Sequence, residues 1–260
     1  MGCEMNTKGT VFVTGGASGI GLAIARSLLD EGWRVVIADR AQGNLDKARG
    51  SFGEHDARLR FESLDVADEN AVERAIDRCD TDFGPLVGLV NSAGIFGSET
   101  SALETDTGLF RQILEINLIG SFITSRTAAR RMRARGSGSI VNISSISGLR
   151  GNFGRVAYGA SKAAVIQMTK VMAVELAPDR VRVNAIAPGP VETPMVRDVH
   201  TQDMRAEWLR MVPQRRYCEP EELAGAAAFL LDERKSSYIT GQTISVDGGF
   251  TAAGLTARNA

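Results

Sequence analysis

Tyr158 and Lys162 stand four residues apart in Tyr158-Gly159-Ala160-Ser161-Lys162. On a helix this spacing sets both side chains on one face, about one turn apart. A free phenol ionises near pH ~10, and a neighbouring ammonium stabilises its anion. The pair therefore suits the exchange of a proton with an alcohol or carbonyl oxygen at neutral pH, the cationic ring of an oxidised nicotinamide adding to the effect. Taken alone, it equally describes a buried tyrosine beside a surface lysine. A second stretch, Thr14-Gly15-Gly16-Ala17-Ser18-Gly19-Ile20-Gly21, could do a different job. Its glycines permit a tight turn and bring backbone amides, and the start of a helix, up to a pyrophosphate. Asp39 closes the next apolar run, where a carboxylate can accept from both ribose hydroxyls of an adenosine and repels a 2′-phosphate. NAD is favoured over NADP on that ground, although Arg40 follows directly.

The elements that must position these residues alternate. Apolar, β-branched runs at 10–14, 34–38, 58–64, 86–91, 139–144, 181–187 and 242–246 read as strands. Helical periodicity spans 20–31, 67–79, 107–135, 157–177 and 220–231. About seven fully apolar strands separated by helices imply an α/β fold, a Rossmann-type doubly wound parallel sheet with helices on both faces. Such sheets bind ligands beyond the carboxyl ends of their strands. No composition break divides the chain, so residues 1–260 read as a single dinucleotide-binding domain. The stretch 190–216, without clear periodicity, reads as a substrate lid.

The glycine spacing Gly15-x₃-Gly19-x-Gly21, together with Tyr158-x₃-Lys162, resembles the short-chain dehydrogenase/reductase family, and further family motifs follow in order across nearly the whole chain. The resemblance implies a hydride-transferring oxidoreductase acting on an alcohol or carbonyl carbon. It assigns the cofactor to Gly15, Ser18, Gly19, Ile20, Gly21 and Asp39, with Asp65-Val66 at the adenine. Asn91-Ser92-Ala93-Gly94 is similar to the family's N-N-A-G turn, Ser92 replacing its second asparagine, and gives Asn91, Ala93 and Gly94. Pro188, Gly189, Val191 and Thr193 resemble the segment beside the nicotinamide and phosphates, and Tyr158 and Lys162 complete the cofactor set. For catalysis the resemblance implies Asn117, Ser145, Tyr158 and Lys162. Ser145, 13 residues before Tyr158, holds the substrate oxygen; Ser144 and Ser147 are its rivals. Asn117 supports a water relay to Lys162, and the lysine also holds the nicotinamide ribose. The family also implies a homotetramer, with a dimer as the alternative, formed through helices 107–135, 157–177 and 220–231 and the last strand, 242–246. The small residues Ala224-Gly225-Ala226-Ala227-Ala228 permit close approach there.

Other function classes lack support. Lys+Arg of 30 against Asp+Glu of 31 gives net −1, which favours neither nucleic acid nor an anionic membrane. The basic run Arg130–Arg135 falls where a helix ends and suits its dipole. Cys3, Cys79 and Cys218 are too few and scattered for a disulfide framework, and this points to the cytoplasm. With only His55 and His200, no metal site is expected. No leader or membrane span is legible, and Met1-Gly2 lacks the hydroxyl at position 6 that myristoylation wants. Two alternatives remain: a redox-sensing regulator, which needs no such constellation, and a non-oxidative relative such as an epimerase or dehydratase. An enoyl reductase would space its tyrosine and lysine more widely. The partner is a small alcohol or ketone, with walls drawn from Phe96, Leu149, Phe153, Val191, Met195, Met204, Trp208 and Met211, and with Arg150 or Arg155 as polar anchors.

Overall fold

The computed structural model describes residues 8–52 and 56–254; Cys3, His55 and Met1-Gly2 lie outside them. Seven parallel strands form one sheet in the order β3-β2-β1-β4-β5-β6-β7. They are β1 (Thr10–Thr14), β2 (Arg34–Asp39), β3 (Leu59–Ser63), β4 (Leu86–Asn91), β5 (Gly138–Ile143), β6 (Val181–Pro188) and β7 (Thr243–Val246). β1, β5 and β6 are buried at every position, as strands covered on both faces must be. Chain order reverses between β1 and β4, which opens a crevice at their carboxyl ends.

Two helical layers cover the sheet. On one side α1 (Gly19–Asp30), α2 (Gln42–Ser51) and α9 (Pro220–Leu231) enclose a core of Val11, Val13, Ile24, Leu28, Ile37 and Leu223. On the other, α3 (Glu69–Arg78), α5 (Gly120–Arg135) and α6 (Val156–Leu176) enclose Phe12, Val36, Ile76, Leu89, Met132 and Ile140. α4 (Thr107–Leu114) runs into α5 through a π-type turn at Glu115–Ile119, so the long helix expected at 107–135 is continuous but widened. α7 (Pro194–Val199), α8 (Gln202–Met211) and the short α10 (Glu233–Ser236) complete the set.

Three expectations need adjusting. The stretch 190–216 is mostly helical: α7 and α8 bury no residue fully, so neither leaves a strong periodic signature. Trp208 and Val212 pin the segment to Ile146 and Phe250. α2 escapes the pattern for a related reason, since only Leu45 and Ala48 of its residues are buried. The arginine run does more than meet a dipole. Arg126, Arg130, Arg131 and Arg135 pair along α3 and the turn after it with Glu69, Glu73, Asp77 and Asp80, while Met132 turns into the core. Nor is the small-residue run on α9 free for a partner. Ala224, Ala227 and Ala228 are buried where α9 packs along α1, and within that run Gly225 faces open space.

Candidate active site

A cleft of about 390 Å³ crosses the carboxyl ends of the strands. Its first end begins at the turn after β1. Gly15 (φ +60°) and Gly19 (φ +49°) adopt a left-handed backbone that other residues avoid. A Cβ on Gly15 would come within 2.7 Å of the Ala93 backbone, and one on Gly21 would strike the Gly15 carbonyl oxygen. Gly15, Ser18, Gly19 and Ile20 line the cleft. Gly21 does not; it is the residue that lets the turn close beneath them. Ser18 makes no capping bond to α1, and the first turn of that helix carries no acid. A helix start left this way suits a phosphate. At the end of β2 the Asp39 carboxylate accepts from the amides of Ala17 (3.4 Å) and Ala41 (3.0 Å). Arg40 leans to Asp65 (3.5 Å), and Asp65 and Val66 form the wall beyond. The arrangement fits a nicotinamide dinucleotide: an anion seat at the centre, a carboxylate for a ribose and a shallow pocket for a flat base.

The opposite end gathers side chains from distant segments. Ala93 and Gly94 follow β4, Ser144 and Ser145 follow β5, Tyr158 and Lys162 lie on α6, Pro188 ends β6, and Gly189, Val191 and Thr193 follow it; all line the cleft. The three serines are distinguished by their partners. The Ser144 hydroxyl donates to the Lys162 carbonyl oxygen (2.8 Å), and that of Ser147 accepts from Asn152 (2.9 Å). The Ser145 hydroxyl accepts from the Ser147 amide (3.1 Å) and favours the ionised form of the Tyr158 phenol.

Electrostatics here differ from the expected pairing. Lys162 is buried, and its ammonium donates to the Ile143 carbonyl oxygen (2.8 Å). Burial drops its pKa to about 8. The Tyr158 phenol is raised above its ordinary value by burial, against the pull of Ser145 and of the Arg155 guanidinium. In the protein alone, then, Arg155 is the cation that opposes burial at the phenol.

Two expected site residues sit behind the cleft wall. Asn117 is fully buried in the π-type turn, where its amide accepts from the Ile95 N–H (2.8 Å) and donates to the Ile95 carbonyl (2.9 Å) and the Ser161 hydroxyl (3.1 Å). It fixes the loop after β4 against α6, and both Asn117 and the Lys162 ammonium flank Gly94. Asn91 does not line the cleft. Its side chain points away from the cleft and donates to Asn142 (2.8 Å) and Ser125 (2.8 Å), because a buried amide at the end of β4 must satisfy its polar atoms inside. Of the expected apolar walls, Phe96, Val191, Met195 and Trp208 line the cleft, whereas Leu149, Phe153, Met204 and Met211 do not. His200 was missed; it lines the cleft and bonds the Tyr217 hydroxyl (2.9 Å). Among the described residues no helix is long and apolar enough to cross a membrane, and no three His, Cys, Asp or Glu gather to hold a metal.

A family model described as enoyl-(acyl carrier protein) reductase matches residues 15–251. The chain is 42% identical over 249 residues to a cis-4-hydroxycyclohexanecarboxylate dehydrogenase of Sinomonas cyclohexanicum, covering 96% of this chain and 99% of the relative. It is 39% identical over 249 residues to an NADP-dependent (R)-specific alcohol dehydrogenase of Lentilactobacillus kefiri, with 94% and 98% covered. The crystal structure of a levodione reductase superposes with a TM-score of 0.90 at 34% identity, covering 95% of this chain and 99% of that one.

Proposed function

The chain belongs to the short-chain dehydrogenase/reductase family, and from that premise we propose that it is an NAD-dependent alcohol dehydrogenase working through Tyr158. As a member it is an oxidoreductase, in which a bound nicotinamide cofactor gives or takes the hydride at an alcohol or carbonyl carbon. The observation that carries the proposal is the meeting of Ser145, Tyr158 and Lys162 at one end of a cleft whose other end offers an anion seat and Asp39. Ser145 holds the substrate oxygen. Tyr158 takes the hydroxyl proton during oxidation and returns it during reduction. Lys162, fixed on Ile143, keeps a donor and a charge beside them, and Asn117 holds the loop and helix that frame this end.

Gly15, Ser18, Gly19 and Ile20 would hold the pyrophosphate, with Asp39 on the ribose, Asp65 and Val66 at the adenine, and Ala93, Gly94, Pro188, Gly189, Val191 and Thr193 along the rest. Preference for NAD rests on Asp39, whose charge faces a 2′-phosphate, and on Arg40 being drawn toward Asp65. The relative from Lentilactobacillus kefiri is NADP-dependent by name. The four-residue interval of Tyr158 and Lys162 supports an alcohol or ketone substrate over an enoyl one. Residues 190–216, carrying Met195, His200 and Trp208 over the cleft, act as its lid. We also read the protein as a cytoplasmic homotetramer. Phe122 on α5 and Val171 and Val174 on α6 are apolar and exposed, Val174 to 77%, on helices where a partner would cover them.

Tyr158→Phe tests the proposal, since it keeps the ring against Phe96 (4.8 Å between centroids) and removes the hydroxyl. Turnover with a good alcohol is expected to fall ~10²–10⁴-fold. NADH binding, followed by fluorescence, is expected to stay within about threefold. Near-normal turnover would end the proposed proton path.

A further inference from the structure

Arg155 opens the turn into α6, three residues before Tyr158, and its side chain is only 6% exposed. Its guanidinium lies 3.4 Å over the centre of the Phe96 ring, and one arm pairs with Glu99 (3.1 Å). The other arm, Nη1, is buried without any hydrogen-bond partner. A guanidinium nitrogen left so is costly, because burial strips its water and nothing replaces it. Arg155 nevertheless forms part of the cleft wall, between Phe96, Tyr158 and His200.

The charges that line the cleft are unevenly placed. Among the described residues that line the cleft, the acids are Asp39 and Asp65, both at the adenosine end. At the substrate end the wall offers Phe96, Ile146, Met195 and Trp208, with His200 and Arg155 as polar members besides Thr193, the serines, the tyrosine and the lysine. His200 is held neutral: burial, with Arg155 and Arg205 nearby, drops its pKa to about 4. Glu192 is already taken by Arg205 and Arg197. Beyond its pairing with Glu99, Arg155 therefore keeps one arm without a partner, next to an apolar surface and the proton-exchanging tyrosine.

Resting on the alcohol dehydrogenase reading, we propose that Arg155 is a substrate anchor and that the alcohol oxidised here bears a carboxylate on a compact apolar body. The carboxylate meets the Arg155 guanidinium where it lines the cleft, the apolar body lies against Phe96 and Trp208, and the carbinol carbon falls toward Tyr158 and Ser145. The anchor is a point of specificity; its charge also favours the ionised Tyr158 phenol, an effect that charged and uncharged substrates share.

The experiment compares 4-hydroxycyclohexanecarboxylate with its methyl ester, which keeps shape and loses charge. In the wild type, kcat/KM is expected to favour the acid at least ~10-fold, the size of one charge-assisted hydrogen bond, mainly through KM. Arg155→Gln is expected to bring the acid-to-ester ratio near one, and Arg155→Lys to leave it intermediate. Because Arg155→Gln leaves Glu99 unpaired and could fail to fold, Glu99→Gln supplies the opposite sign. It releases the second arm of Arg155 and is expected to raise the ratio several-fold. Equal use of acid and ester by the wild type would overturn the anchor while leaving the dehydrogenase standing, as would an unchanged ratio in the Arg155 variants or in Glu99→Gln. Should neither compound be oxidised, binding decides. Cyclohexanecarboxylate is expected to bind the NADH-loaded wild type at least ~10-fold more tightly than cyclohexanecarboxamide, and Arg155→Lys to lessen that gap. No difference between the two probes would overturn the anchor.

Discussion

At the end of the cleft that faces β2 and β3, the wall is largely backbone, turned at Gly15 and Gly19 and closed by Gly21, whereas beneath α7 and α8 it is made of side chains from four separate segments. The phosphate seat at the first end is fixed by a strand, a turn and a helix consecutive in sequence, and a Cβ on Gly15 or Gly21 there meets main chain. The second is assembled by tertiary packing. Phe96 comes from the loop after β4, Ser145 from that after β5, Arg155 and Tyr158 from the start of α6, and Met195, His200 and Trp208 from the segment after β6. A shared recognition element is thus rigid and local, while the part that chooses a substrate can change one side chain at a time.

The sharpest way to break this contrast is Gly21→Ala. The added methyl would meet the Gly15 carbonyl and lie 3.1 Å from the Gly16 Cα, so backbone must move and the phosphate seat with it. Cofactor affinity is expected to fall about 100-fold or more, in line with the cost of misplacing a binding group by an ångström. Fluorescence titration with NADH reads this directly. Affinity within a few-fold of wild type would show that the turn is less rigid than its geometry implies.

A smaller effect should follow Asp39→Ser, which changes charge at the same end without changing backbone. Removing the carboxylate takes away the repulsion of a 2′-phosphate, and like charges set face to face are costly. The ratio of kcat/KM for NAD over NADP is expected to drop about tenfold or more. If the wild type prefers NADP, or the ratio does not move, Arg40 governs the choice and Asp39 serves the Ala17 and Ala41 amides alone.

What the sequence made legible follows the same division. Strand boundaries fell within about a residue, most plainly for β1, β5 and β6, which are buried at every position, and the glycine turn was readable because its residues are adjacent. A motif position does not say which way an amide points, and the Asn91 side chain is bound into a buried network with Asn142 and Ser125. The π-type turn at Asn117 left no periodic signal, because one extra residue in a helical turn barely shifts an apolar pattern. α7 and α8 were invisible for lack of a buried stripe. Arg155 was one of two candidate anchors in the sequence. Only folding shows that Arg150 is committed to the Thr251 carbonyl (2.6 Å) while Arg155 keeps a bare N–H.

Lys162 is a substrate-end side chain whose charge opposes stability, and its replacement should give the smallest effect of the set, visible without any substrate. Its folded pKa is about 8 against an ordinary value of 10.5, because burial disfavours the ammonium. Between those values the unfolded chain binds a proton that the folded one does not, so this residue makes stability rise with pH from about 8 to 10.5. Below about pH 8 the full cost of the buried charge is present, at most about 3 kcal/mol from the shift. Lys162→Met relieves that cost but leaves the Ile143 carbonyl without its donor, which offsets it by about 1 kcal/mol. The cofactor-free variant should therefore melt a few degrees above wild type at pH 6–7 while losing turnover, with ~2–4 °C for each kcal/mol in a chain of this size. Moreover, the gap should shrink as pH rises through 8 toward 10.5. Melting curves of both proteins across that range are the measurement. A variant less stable than wild type at neutral pH, or a gap that grows with pH, would mean that the Lys162 charge is well accommodated in the fold, and that this end of the cleft is no more strained than the glycine turn opposite.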